Sequence, residues 1–212
     1  MPGEIEIEHH DSKIRHMYET VLDHRHGWNK AMTTNLICRI NSEDTPLIIQ
    51  NAHGNKHAEE LLLDELNQRD KSLLTTITIY TNNSPCSNKG HDCARQLIKF
   101  LNENTHVIMV FYVTGLYPGA GEAEGERGAA TRPEDLAELK ANNTGLKDMM
   151  KHGRCVVSAF SYAVWVELLN IAPVSEVFKS QLLARYRTIL DTNDRSREEE
   201  DNRIRSDLAY IR

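Results

Sequence analysis

The sequence predicts an α/β fold in which one mixed β-sheet carries helices on its faces. Two short apolar segments, 35–40 and 46–50, flank a turn at 41–44 and indicate a pair of antiparallel strands. Beyond them, strand-like segments alternate with helical ones, which is the order that generates a sheet covered by helices. At 212 residues the chain is long enough for one domain of this kind, and it contains no internal repeat.

The residues before the first strand are predicted to form an arm, a helix and a loop. Residues 1–11 are acidic and contain histidines, and we expect a flexible arm. A helix is predicted over 12–24 with Ser12 as its N-cap, and the polar segment 24–33 indicates a loop. The apolar positions with helical spacing are Ile14, Met17, Tyr18, Val21 and Leu22.

The central segments alternate between helix and strand. Residues 56–69 predict a helix, and 73–80 alternate isoleucine with threonine, as a strand does. Another helix or its approach opens at Pro85 and runs to about residue 102. The uninterrupted apolar segment 107–113 is typical of a strand that is buried on both faces.

The C-terminal half is predicted to contain a long loop, one strand and several helices. The loop, 115–132, contains five glycines and an acidic stretch. A helix is predicted from Pro133 to about residue 139, and 154–160 predict the last strand. The remaining elements are predicted to be a helix around 165–169, an amphipathic helix over 175–190 and a solvated helix or tail over 195–212.

Composition excludes several classes of protein. With 40% hydrophobic and 26% charged residues, the chain is not wholly disordered. Its longest apolar run, 107–113, is too short to cross a bilayer, so we expect no membrane partner. The net charge of −6 shows no basic footprint of a non-specific duplex binder. We see no signal peptide and only four cysteines, and we expect a cytoplasmic or nuclear protein with reduced thiols.

One constellation of residues carries the chemistry. His57 and Glu59 are followed, after 25 further residues, by a Pro-Cys pair that ends at Cys86, and then by Cys93. Histidine and cysteine are the ligands that zinc prefers, and three protein ligands leave a fourth position for water. A nearby carboxylate that is not a ligand can then move protons. The order matches the signature of zinc-dependent base deaminases, so we predict one zinc ion per chain.

Helix ends decide how these residues can share a metal. Both parts of the motif begin helices that follow strands, and a helix N-terminus favours a thiolate at Cys86. His57 and Glu59 do not share a face of a regular helix, so the metal must lie off the helix end. We expect the adjacent Glu60 to be solvated. His91 is an alternative to Cys93 as the third ligand, because imidazole also binds zinc.

Several motifs occur together around this constellation and beyond it. They are Ser84-Pro85-Cys86, Asp92-Cys93-Ala94-Arg95 followed by Phe100-Leu101, Leu116-Tyr117, Trp165-Val166-Glu167 and the segment 180–190. In this combination the chain resembles the AID/APOBEC polynucleotide cytosine deaminases from about residue 35 to residue 190. The resemblance implies their cytidine-deaminase-like α/β/α sandwich, a five-stranded mixed sheet flanked by about six helices. The deaminase domain would then span 12–192, followed by a charged C-terminal tail or helix over 193–212.

Two features depart from the family pattern. Six residues separate Cys86 from Cys93, where two or four are usual, and only a few divergent branches share this spacing. Asn88 and Gly90 lie in the spacer and suit a loop, so we expect a bulge before the helix. The second departure is Asn83, which stands where the family usually has a tryptophan in the pocket wall.

The resemblance implies hydrolytic deamination of cytosine to uracil in single-stranded nucleic acid, with DNA favoured over RNA. It assigns zinc to His57, Cys86 and Cys93 and proton transfer to Glu59. The target base would be unstacked and held by three loops. The residues assigned to the substrate on this basis are Ala58, Ser84, Tyr117, Thr34, Asn51, Trp28 and Arg25.

Two alternative functions remain open at this point. Deamination of a free nucleoside or nucleotide is favoured by the negative net charge. It is opposed by the predicted helix 175–190, which belongs to the pattern of the polynucleotide branch. A catalytically silent zinc protein that binds nucleic acid or a partner is opposed by the intact Glu59. We expect a monomer or a weak dimer.

Overall fold

The computed structural model describes residues 34–43, 45–51, 56–87, 90–117, 133–171, 175–188 and 196–212. In these ranges the chain forms five strands and six α-helices. The predicted arm 1–11, the predicted helix 12–24 and most of the predicted glycine-rich loop lie outside the described residues.

The strands form one mixed sheet in the order β2-β1-β3-β4-β5. β1 is antiparallel to both of its neighbours, whereas β3, β4 and β5 are mutually parallel, so the predicted five-stranded mixed sheet is confirmed. The strand bounds are β1 (Asn35–Ile40), β2 (Leu47–Gln50), β3 (Thr76–Thr81), β4 (Ile108–Val113) and β5 (Cys155–Ala159).

The helices follow the predicted order with shifted ends. They are α1 (Ala58–Gln68), α2 (Cys93–Glu103), α3 (Pro133–Lys151), α4 (Tyr162–Ile171), α5 (Glu176–Arg185) and α6 (Arg197–Ile211). The largest difference is at α3, which continues to Lys151, about twelve residues beyond its predicted end. α2 begins only at Cys93, and α5 ends at Arg185 although a helix is predicted as far as residue 190. Among the described helices, none combines the length and apolar character that a membrane span requires.

Alternation along the strands divides the core into two layers. Leu36 and Cys38 of β1 face α1, α2, α3 and α6 in the larger apolar cluster. Ile37, between them, faces α4 and α5 on the other side, together with Tyr80 and Trp165. The sheet is therefore covered by helices on both faces, as the alternating element order predicts.

β4 is less buried than its sequence predicts. Its side chains alternate between buried and more exposed positions, and Ile108 at its start is 44% exposed. The prediction of a strand buried on both faces is therefore wrong at this end. The reason is that the cluster under α4 and α5 gathers around Tyr80 and Phe160, near the opposite ends of the strands, and leaves the start of β4 uncovered.

The charged C-terminal segment is a packed helix. α6 buries Ile204, Leu208 and Ile211 in the larger core cluster. These residues have i, i+4, i+7 spacing, so they form one apolar stripe among many charges. Of the two predicted alternatives for this segment, helix or tail, the helix is observed. The prediction that the helix is solvated is wrong, because three apolar residues among many charges are enough to pack it against the core.

The packing of α6 predicts a large loss of stability on truncation of its apolar side chains. Ile204→Ala should lower the free energy of unfolding by about 2–5 kcal/mol, because it leaves a cavity in a fully buried site. Tyr210→Ala, on a residue that is 76% exposed, should change it by less than about 0.5 kcal/mol. Urea unfolding followed by circular dichroism measures both. Equal effects would contradict the packing of α6.

Candidate metal centre and active site

The N-termini of two helices meet at the edge of the sheet where β3 and β4 end. His57 is the N-cap of α1, with extended backbone (φ −74°, ψ 157°), and Cys93 is the first residue of α2. Cys86 lies between β3 and α2, and its carbonyl accepts a hydrogen bond from the Ala94 N–H at 3.0 Å. The metal motif therefore lies at helix ends, as the sequence predicts.

Three ligand atoms converge at this edge. His57 Nδ1 lies 3.1 Å from Cys86 Sγ and 3.4 Å from Cys93 Sγ, and the two sulfurs are 3.6 Å apart. Two thiols and one imidazole, both cysteines being buried, are a donor set that fits zinc. Of the described histidines, cysteines and carboxylates, this is the group whose atoms are placed to hold a metal ion.

Helix α3 supports the segment that carries Cys86. The Ser87 N–H donates a 2.7 Å hydrogen bond to Asn142 Oδ1 of α3. One turn on, a Cβ at Gly145 would lie only 2.0 Å from Ser87 Oγ. Glycine at this position therefore allows α3 to pack directly against the chain beside Cys86. The sequence carries no pattern that links α3 to the metal motif.

Glu59 is buried beside the metal group. It is only 3% exposed, and its carboxyl group hydrogen-bonds the Cys93 thiol. Burial raises its pKa to about 7, so the protonated and ionised forms are both accessible near neutral pH. Burial and the neighbouring His91 lower the pKa of His57, which favours the neutral imidazole that a metal binds.

Cys93 lies in a setting that opposes a free thiolate. The neighbouring Cys86 thiol and burial both raise the pKa of Cys93. A bound cation would offset the cost of holding two buried sulfurs in their charged form.

Glu60 is part of the site, contrary to the expectation that it is solvated. Its side chain is 18% exposed and turns back to the start of α1, where Oε2 accepts the His57 N–H at 2.8 Å. The same oxygen lies 2.9 Å from His91 Nδ1, and Oε1 accepts a hydrogen bond from Gln96. Glu60 holds the N3 position of a capping box, and that position brings it to the helix end.

His91 is a neighbour of the metal group and not one of its converging ligand atoms. Its Nδ1 faces Glu60, and its ring lies parallel to that of His57, with the centroids 4.1 Å apart and the planes at 10°. Gly90 before it has a φ of +101°, which favours glycine. The longer spacer therefore places His91 over His57, and the alternative in which His91 replaces Cys93 is not favoured.

This geometry predicts that Glu60 stabilises the metal centre. Glu60→Gln removes the charge that orients the His57 backbone and the His91 ring. We expect zinc affinity to fall by about 10- to 100-fold, the usual cost of losing an outer partner of a ligand. Competition with a chromogenic chelator measures it. Glu65→Gln, an exposed carboxylate on the same helix, is the matched control, and equal affinities of the two variants would refute the role.

Polar residues next to the ends of β1, β2 and β3 form a hydrogen-bonded group. The Asn83 Nδ2 group donates a 3.0 Å hydrogen bond to Thr34 Oγ1. The Thr34 N–H donates to Asn51 Oδ1, and the Asn51 N–H donates back to the Thr34 carbonyl at 3.1 Å. Thr34 and Asn51, both predicted to bind substrate, are thus brought together. Asn83 fills the tryptophan position with an amide bonded to Thr34.

Ser84, two residues before Cys86, forms hydrogen bonds with the loop after β4. Its Oγ accepts the Tyr117 N–H at 2.8 Å, and its own N–H donates to the Gly115 carbonyl at 2.9 Å. The Tyr117 ring lies 6.4 Å from the His57 ring, and Ala58 is fully buried next to His57. Of the predicted substrate residues, Ala58, Ser84 and Tyr117 therefore adjoin the metal group. Trp28 and Arg25 lie outside the described residues.

The fold and the site together define a cytidine-deaminase-like α/β protein with a His-Cys-Cys group that can hold a metal. Among protein families, the sequence matches the one described as "APOBEC3, cytosine deaminase domain", over residues 20–122. This match, which covers just under half of the chain, supports the resemblance to the AID/APOBEC deaminases that the motifs predict. No individual curated protein shows significant similarity to it.

Proposed function

We propose that this protein catalyses the zinc-dependent hydrolytic deamination of cytosine to uracil in single-stranded nucleic acid. The observation that carries the proposal is the buried Glu59 beside the converging atoms of His57, Cys86 and Cys93. The family match supports deamination of cytosine in general. Zinc as the metal, and a strand as the substrate, are parts of the proposal.

The proposed mechanism uses Glu59 as the proton carrier. His57, Cys86 and Cys93 would hold the ion, which supplies Lewis-acid activation of water when it is bound. Glu59 accepts a proton from the attacking water and delivers it to the ring nitrogen next to C4. A C–O bond forms at C4, Glu59 then transfers the remaining hydroxyl proton to the amino group, and the C–N bond breaks so that ammonia leaves and the C4 carbonyl of uracil remains. The pKa of about 7 suits a group that must accept and release a proton at neutral pH.

The surrounding residues would present the base. The target must leave its stack to reach the buried Glu59, which favours a single strand over a duplex. Tyr117 lies close enough to the His57 ring to stack on an unstacked base. Thr34 and Asn51 would contact the sugar. Their mutual hydrogen bonds fix the spacing of these two residues.

A free nucleoside is the second candidate substrate. The observation that favours it is the net charge of −6, because an acidic protein repels a polyanion. A monomer would need the same Glu59 chemistry and none of the contacts to a backbone. The two candidates differ in the effect of strand length on KM.

A deamination assay on short DNA strands tests the proposal. Cytosine is placed in all sixteen neighbour contexts, and uracil is read by glycosylase cleavage. We expect uracil in a subset of contexts, and DNA to be preferred to RNA of the same sequence. Uracil from free cytidine alone would establish the second candidate. A fully zinc-loaded protein with no product from DNA, RNA or cytidine would overturn both in favour of a silent zinc protein.

A further inference from the structure

A buried ion pair links the C-terminal helix to the sheet. Arg197 and Asp201 lie one turn apart on α6 and are 3% and 0% exposed. Two guanidinium nitrogens of Arg197 hydrogen-bond Asp201 Oδ1. Burying a charged pair costs folding free energy unless its remaining hydrogen-bond donors and acceptors also find partners. The other hydrogen-bond partners of Arg197 and Asp201 therefore show which parts of the fold the pair connects.

Asp201 gathers three helices. Besides Arg197 on its own helix, its Oδ2 accepts the Trp165 Nε1–H of α4 at 3.0 Å. It also accepts a hydrogen bond from the hydroxyl of Tyr186, the C-cap residue of α5. The Glu198 N–H donates to the Tyr186 carbonyl at 3.0 Å, which is a second link between α5 and α6. The carboxylate is thus fully engaged, and a network of this kind permits one arrangement of its members.

Arg197 extends this network to the loop that carries Tyr117. Its Nη2 donates a 3.0 Å hydrogen bond to the carbonyl of Thr114, the buried residue directly after β4. The next carbonyl, that of Gly115, accepts the Ser84 N–H, and Ser84 Oγ accepts the Tyr117 N–H. One continuous series of hydrogen bonds and adjacent residues therefore leads from Asp201 to Tyr117, beside His57.

A second arginine of α6 holds the neighbouring strand end in the same way. Arg205 donates a 3.0 Å hydrogen bond to the carbonyl of Phe160, directly after β5. Because β4 and β5 are parallel, their C-terminal ends lie at the same edge of the sheet as the metal group. The helix therefore fixes the first backbone carbonyls beyond both strands.

We propose that Arg197 is a positioning residue, through which α6 sets the geometry of the loop that carries Tyr117. Arg197 touches neither the metal ligands nor Glu59 among the contacts of the described residues. Its effect should therefore fall on substrate binding, with the metal and the proton transfer unchanged. The part of this proposal that concerns substrate rests on the proposed function. The part that concerns loop order does not.

Arg197→Lys is the decisive variant. Lysine keeps the positive charge beside Asp201, but its single nitrogen cannot reproduce the planar group that bonds Asp201 and Thr114 together. We expect amide exchange in residues 114–117 to rise at least about tenfold, from the loss of one charge-assisted hydrogen bond. KM for a DNA strand should rise about tenfold, with kcat within about twofold and zinc content unchanged.

Arg203→Gln is the matched control. Arg203 lies on the same helix and bonds Glu200 and Asp207 on that helix, so its loss should leave residues 114–117 protected. Trp165→Phe is a milder second variant, which removes one hydrogen bond to Asp201 without removing a charge. It should give a smaller rise in exchange over the same residues.

Hydrogen exchange by mass spectrometry and steady-state kinetics are run on the same full-length preparations. Unchanged exchange at 114–117 in both Arg197→Lys and Trp165→Phe would overturn the proposal. So would a rise spread evenly over the whole chain, or an equal rise in Arg203→Gln, because each indicates a general loss of stability. If the wild type deaminates nothing, the proposed function falls, and the exchange data still decide whether Arg197 orders the loop.

Discussion

Glu59→Gln should abolish deamination and leave the metal centre intact. Glutamine has nearly the same shape as glutamate but cannot accept and deliver a proton, so the rate should fall by at least about a hundredfold. The ligand atoms of His57, Cys86 and Cys93 stay in place, because Glu59 is not among the converging group. Uracil formation at saturating strand, normalised to bound zinc, measures the effect.

Two comparisons make the result specific to Glu59. Glu65→Gln changes the same charge on the exposed side of α1, and it should retain the wild-type rate. Zinc content measured by elemental analysis should be equal in all three proteins. A Glu59→Gln protein that keeps more than about a tenth of the rate would show that another group moves the proton.

Loss of one cysteine ligand should remove the metal together with activity. Cys93→Ser replaces a sulfur donor that lies 3.4 Å from His57 Nδ1 and 3.6 Å from Cys86 Sγ. We expect zinc affinity to fall by more than the 10- to 100-fold that is typical of losing an outer partner, since a ligand itself is lost. Chelator competition gives the affinity, and elemental analysis gives the stoichiometry.

Cys155→Ser is the control for this experiment. Cys155 is buried in β5 and is not part of the ligand group, so its variant should keep one zinc ion per chain. Zinc that binds the folded state and not the unfolded state stabilises the fold. A chelator, which removes the zinc, should therefore lower the Tm of the wild type and of Cys155→Ser. It should leave the Tm of Cys93→Ser unchanged. Full zinc binding by Cys93→Ser would contradict the assignment.

The features that depend on local pattern could be predicted from the sequence. Alternation and apolar runs gave the five strands within a few residues of their ends, because period-2 burial is a property of the strand itself. His57 and Cys93 could be placed at helix starts, since each follows a strand and opens a helical pattern. The spacing of His57, Cys86 and Cys93 was sufficient to predict that their ligand atoms lie close together, and in the structure these atoms converge.

The features that depend on three-dimensional partners could not be predicted. The sequence around Glu60 predicts an exposed side chain, because its helix neighbours carry no information about His91. His91 is 31 residues further along the chain and contacts Glu60 only in the folded protein. A capping box could have indicated its turn toward the helix end, but histidine is an unusual N-cap residue. The burial of α6 was hidden for the same reason, since charge alternation dominates its sequence and three apolar residues dock it.

The central claim is that Glu59 and the His57-Cys86-Cys93 group hydrolyse the bond between C4 and the amino group of cytosine. A reaction in isotopically labelled water tests this claim most directly. The zinc-loaded protein is incubated in ¹⁸O-water with a single-stranded DNA that contains one cytosine, and the product is analysed by mass spectrometry. Our account predicts uracil that carries one ¹⁸O atom at C4, formed by the wild type and not by Glu59→Gln. The account would be contradicted if the folded, fully zinc-loaded wild type formed no uracil from DNA in any of the sixteen neighbour contexts, and no deaminated product from the equivalent RNA or from free cytidine.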